Sequence, residues 1–129
     1  MRPRRVDGLV SERVEKELLV YRQLTGETHA LNEAAAVVFD LCDGAHTRTA
    51  IAAEVALRCG LPADEGIVDL ALADLREAGL IAAADDDRPG VTRRSLIRRL
   101  SLTAIAVAML PVVETILMTS AEAQAPACL

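Results

Sequence analysis

The stretch "LNEAAAVVFDLCDG", Leu31–Gly44, decides how the rest of the chain is read. Asn32 stands where a helix N-cap belongs, its side-chain oxygen able to accept a hydrogen bond from a backbone N–H of the first turn, with Leu31 placed to staple onto the helix. Ala35, Val38, Leu41 and Cys42 recur at helical spacing, and Gly44 after Asp43 is expected to supply a left-handed stop. The helix is short and sharply bounded. Nothing in it is placed to do chemistry, so Asn32, Asp43 and Gly44 are expected to fix where neighbouring elements meet.

Working outward toward the N-terminus, "LVSERV", "ELLVYRQ" and "THAL" read as strands, with β-branched and aromatic residues between turn signals. Glu15-Lys16 is expected to make the first turn. In the second, "LTGE", Gly26 can adopt a positive φ without steric cost. Three antiparallel strands result, and the third, Thr28 to Leu31, is expected to be an edge with unpaired backbone N–H and C=O groups. Toward the C-terminus, Thr47 caps a second helix whose Ile51, Val55 and Leu57 are expected to form its buried stripe, before Cys59-Gly60-Leu61-Pro62 breaks it. A third helix runs from about Ala63, with Val68, Leu72 and Leu75 facing the core and Gly79 ending it. "LIAA" is expected to return as a short strand or wing. The expected fold is therefore α+β, a three-stranded antiparallel sheet packed on a winged-helix-like three-helix bundle.

The totals agree with one modest domain plus a tail. The chain has 129 residues and is 52% hydrophobic, yet holds one Phe, one Tyr and no Trp, so its core must be aliphatic. The formal charge of −5 is unevenly spread: residues 25–84 carry three basic and ten acidic side chains, whereas Arg93, Arg94, Arg98 and Arg99 cluster just before an apolar run. Cys42, Cys59 and Cys128 form no C-x-x-C pair, and His29 and His46 add too few ligands for a zinc site. No metal and no cofactor are expected, and the cysteines fit a reducing compartment.

"DDDRPG", Asp85 to Gly90, reads as a solvated linker, giving a domain over 1–84, a linker over 85–92 and an Arg-flanked hydrophobic tail over 93–129. The run Leu100 to Met118 is expected to form an apolar helix, which at about 1.5 Å per residue approaches the hydrocarbon thickness of a bilayer. Nine Leu, Ile and Val residues there favour insertion by about 3 to 5 kcal/mol, while Glu114, Pro111 and the hydroxyl residues cost a similar amount. As an anchor, residues 100–118 would tether a cytoplasmic domain to the inner face of the membrane, with Cys128 outside. "TRRSLIRR", the apolar run and Ala121-x-Ala123-x-Ala125 are also similar to a twin-arginine export signal, although such signals lie at the N-terminus. The third reading is a helix that docks on a partner.

The pattern L-N-x-x-A-x-x-x-x-x-L-C-D-G followed by T-x-x-x-I-A resembles the PqqD-like family of small peptide chaperones, or RiPP recognition elements, over roughly Val6 to Ala83. The resemblance implies a noncatalytic domain that binds the leader of a ribosomally made precursor peptide and presents it to a modifying enzyme, often a radical SAM protein. It further implies that the leader adds to the third strand and lies against the third helix. Carried onto this chain, the peptide site comprises Thr28, His29, Ala30 and Leu31 on the strand, and Ile67, Leu70, Ala71 and Asp74 on the helix. Thr47 joins Asn32, Asp43 and Gly44 as structural. An exposed strand edge independently suits β-addition. A second apolar row on the third helix suits a groove, with Asp64, Asp69 and Asp74 as a rim favouring Lys or Arg in the peptide.

Two other readings compete. A winged helix could place the third helix in a DNA groove, but Asp64, Glu65, Asp69, Asp74 and Glu77 outnumber Arg76, and carboxylates repel phosphates, so no nucleic-acid partner is expected. A chaperone domain fused to its own C-terminal precursor or export segment is the other. No enzyme is expected, because neither histidine has a visible catalytic partner and no phosphate loop appears.

Overall fold

The computed structural model describes residues 2–82 and 91–116. Three strands, β1 (Leu9–Val14), β2 (Glu17–Arg22) and β3 (Thr28–Leu31), precede three helices, α1 (Glu33–Asp40), α2 (Arg48–Cys59) and α3 (Glu65–Glu77). An arm follows, made of α4 (Arg93–Leu100), α5 (Ala104–Met109) and β4 (Val113–Ile116). The strands lie in the order β1-β2-β3-β4, all antiparallel.

The first three strands fall where the turn chemistry places them. Glu15, at φ 57°, and Lys16 join β1 to β2, and Gly26, at φ 75°, turns the chain toward β3. Leu18, Val20, His29 and Leu31 point from one face of the sheet into the helices. On α1 the first two turns are apolar nearly all round, Ala34 to Phe39, because the helix lies between the sheet and α2 and α3.

Several expectations are corrected. The sheet has four strands, since the tail contributes β4. Gly44 does not stop α1: the helix ends at Asp40, and the Arg5 guanidinium donates to the Phe39 and Asp40 carbonyls at 2.9 and 2.8 Å, capping its C-terminus from another segment. Gly44, at φ 81°, instead turns the chain after Asp43. On α2, Cys59 completes the stripe begun by Ile51 and Val55, and Leu57 is 80% exposed because two residues from Val55 is nearly the opposite face of a helix. No wing forms from "LIAA" within the described residues. Ile81 makes one bridge to Arg5, and the Val6 N–H donates to the Leu80 carbonyl at 3.1 Å. α3 begins at Glu65, capped by Asp64, rather than near Ala63.

The expected continuous apolar helix over 100–118 is also absent. Ser101 takes a left-handed conformation at φ 49°, Thr103 caps a new short helix, and Pro111 follows its end. Among the described residues no helix is long and apolar enough to cross a membrane. The linker proposed over 85–92 lies largely outside the described residues, whose second stretch begins at Val91, with Thr92 capping α4.

At the end of α3, Gly79 has φ +77°, and a Cβ there would stand 2.6 Å from Arg22 Nη1. Gly79→Ala is expected to cost about 1 to 3 kcal/mol, read as a lower urea midpoint without a change in slope. An unchanged midpoint would show that the turn relaxes freely.

Candidate functional site

The chain's own arm lies where the peptide was expected, along the β3 edge and against α3. β4 pairs with β3 in the register Thr28↔Ile116, His29↔Thr115, Ala30↔Glu114 and Leu31↔Val113. The edge expected to be open is therefore hydrogen-bonded to the protein's own backbone. Val113, Thr115 and Ile116 are β-favouring residues, and β3 is the strand they pair with.

The helix side is covered as well. Ile67, Leu70 and Ala71 are buried together with the core row Val68, Leu72 and Leu75, and α3 touches both α4 and β4. Leu96 of α4 and Leu110, just before β4, are wholly buried and belong to the same apolar cluster. On α3, Ala73 and Glu77 stay exposed. Asp74 stays half-exposed in the shallow cleft left between α3 and β4, which Glu77, Val113 and Thr115 also line. Burial raises the Asp74 pKa, opposed by the Arg93 charge and reinforced by that of Glu77.

Asn32 joins the two halves. Its Oδ1 accepts from the Ala35 N–H at 3.0 Å, the expected cap, and also from the Val112 N–H at 3.0 Å. Its Nδ2 donates to the Leu110 carbonyl at 2.8 Å, and its backbone N–H to the Val112 carbonyl at 3.2 Å. Asn32 is thus a direct contact of the added strand, beyond the purely structural role expected of it. Asp43 and Thr47 make local turn and cap contacts. The Asp43 carboxylate accepts from His46 Nδ1 and from the Ala45 N–H at 2.8 Å, which pull its pKa down to about 2, and Thr47 caps α2 through the Ala50 N–H.

The acidic rim meets arginines, as charge complementarity requires. Arg99 reaches Asp64 through both guanidinium ends, at 2.9 and 3.2 Å. Burial works to raise the Asp64 pKa, but hydrogen bonds from Arg99 and the Gly66 N–H overcome it and the net shift is downward. Asp69 lies 2.9 Å from Arg48 of α2 instead, within the domain. Arg93 donates to the Pro111 carbonyl at 2.6 Å, fastening the two ends of the arm to each other.

Gly66 was not anticipated from the sequence. A Cβ on it would stand 2.7 Å from Leu96 Cδ2 and 2.5 Å from Arg99 Nη2, so the first turn of α3 is kept bare where α4 lies against it. A glycine inside a helix, costly by roughly 1 kcal/mol against alanine, was the available signal. Leu96, Arg99, Leu110 and Val113 were also missed, because their apolar and basic pattern reads equally well as a membrane-facing tail.

His29 is buried, its Nδ1 3.0 Å from Thr115 Oγ1 across the β3–β4 pair and its Nε2 3.7 Å from Glu27. Among the described residues no cluster of His, Cys, Asp or Glu is arranged to hold a metal ion.

Compared with known families, residues 9–81 match the model of coenzyme PQQ synthesis protein D (PqqD), and the chain belongs to that family. It is a family of accessory proteins in the synthesis of that coenzyme. No curated protein and no solved structure matches the chain significantly.

Two predictions follow from the joint. Asn32→Ala should lose about 1 kcal/mol from the helix cap and a further 1 to 3 kcal/mol from the arm contacts. Asn32→Asp keeps both acceptor roles but loses the donor to Leu110, so hydrogen exchange should quicken at 112–116 while α1 stays protected. Equal quickening in α1 would contradict the division of labour. Burial of His29 lowers its pKa from the usual 6.5, against Glu27 and with Arg22. The folded chain thus binds fewer protons than the unfolded one between that lowered value and about 6.5, and stability should fall as pH drops through this window. The slope of urea midpoint against pH there should diminish in His29→Gln; an unchanged slope assigns it elsewhere.

Proposed function

We propose that this member of the coenzyme PQQ synthesis protein D family is a noncatalytic peptide-binding module of ribosomal peptide maturation. It takes an extended segment as an extra strand on β3, against α3, and brings what is attached to that segment to a modifying enzyme such as a radical SAM protein. The observation that carries this reading is β4: an extended segment already adds to β3 in antiparallel register, from Thr28↔Ile116 to Leu31↔Val113.

The mode has a physical basis. Main-chain hydrogen bonds along β3 supply affinity for any extended backbone, and apolar side chains seated beside α3 supply selectivity. Leu96 and Leu110 are such anchors, each worth about 1.5 to 3 kcal/mol when fully buried. The Asp64–Arg99 pair is partly exposed and adds little energy, at most about 1 kcal/mol, but it orients the segment.

Full-length protein carrying Leu96→Asp and Leu110→Asp has charges in place of both anchors and should release the arm. Added to it, a synthetic peptide of residues 91–116 should shift NMR signals of Thr28–Leu31 and of α3. A peptide that itself carries Leu110→Asp should bind at least tenfold more weakly. Shifts confined to other surfaces would reject β3 as the binding edge.

A further inference from the structure

We infer that residues 91–116 are a leader carried in cis, a tethered occupant that keeps the recognition site closed to peptides arriving from other chains. This rests on the β-addition reading above and adds to it what holds the site at rest.

The arm is seated as a recognised peptide would be, by side-chain contacts at both ends. Asn32 binds the backbone of Leu110 and Val112, Asp64 holds Arg99, and Leu96 and Leu110 are fully buried. The domain side is shaped to match. Gly66 lets the ends of the Leu96 and Arg99 side chains lie within 2.7 and 2.5 Å of where a Cβ would stand, so a larger residue there would push them aside. Arg93 near Asp74 repeats the charge complementarity of Arg99 with Asp64. The described pairing runs as far as Ile116, opposite Thr28.

Tethering decides who wins the site. Only eight residues, 83–90, separate the two described stretches. A segment on so short a connection has an effective concentration of about 1 mM at its own site. If the same contacts made by a free peptide give a dissociation constant of about 1 μM, the arm weakens every trans competitor by a factor of about 1,000. A free leader with equivalent contacts is therefore excluded at ordinary peptide concentrations. The module presents its own continuation beyond Ile116 unless something displaces the arm.

The test compares two full-length proteins, wild type and Leu96→Asp/Leu110→Asp, in fluorescence anisotropy with a labelled synthetic peptide of residues 91–116. The changes lie on the arm, so the site that meets the free peptide is intact. Binding to the variant should be roughly 1,000-fold tighter than to wild type. Equal affinity for both overturns the tethered-leader inference and leaves β-addition standing. No binding to either, with circular dichroism showing the variant folded, overturns β-addition itself. Should the variant unfold, Leu110→Ala with Arg99→Ala replaces it, and at least a tenfold gain over wild type is expected; no gain overturns the inference. Gly66→Leu serves as the domain-side control: a better helix former in α3, it should free the arm yet gain no peptide binding, and tight binding there would refute the assigned seat of Leu96.

Discussion

A single carboxamide governs how this chain closes. Asn32 ends β3 and begins α1, and its Oδ1 serves both the first turn of the helix and the Val112 N–H of the arm. A buried or half-buried amide left without partners costs free energy of the order of a lost hydrogen bond, so removing the whole carboxamide weakens both the helix start and arm docking. With Nδ2 on the Leu110 carbonyl, the same side chain fixes the height at which the arm meets the sheet. Because strand side chains alternate with period two, that height decides which residues of β4 face inward: Val113 and Thr115 opposite Leu31 and His29.

The rest of the arm follows from that anchor. Leu110 is carried into the apolar cluster, Leu96 is set over Gly66, and Arg99 arrives beside Asp64. The family match covers residues 9–81, which contain β1 to β3 and α1 to α3, while the arm lies beyond it. The arm, outside the matched range, lies along β3 and touches α3.

The strands and helix starts were legible because their signals are local. Glu15-Lys16, Gly26, Asn32 and Thr47 each act on their own backbone or that of residues up to three away, and each lies where its turn or cap chemistry requires. The end of α1 was misread because its cap comes from Arg5, thirty-five residues distant from Asp40, and no local pattern records that. The tail was misread for a different reason. Apolar residues between arginines satisfy a bilayer and a protein groove equally well, since both remove the same methyl groups from water. What discriminated were the interruptions, Ser101, Thr103 and Pro111, which break the run into pieces too short to span a membrane. The residues proposed on β3 and α3 carried no sign of what lies against them, because the arm that does so is distant in sequence.

The most direct measurement is the pattern of nuclear Overhauser contacts in uniformly labelled full-length protein near neutral pH. Cross-strand contacts from Leu31 to Val113 and from His29 to Thr115, with slow exchange of the Asn32 amide, are the result required by an arm seated on β3. Fast exchange at Asn32 together with no contact between 28–31 and 113–116 would contradict it, since the edge would then be vacant and the site open.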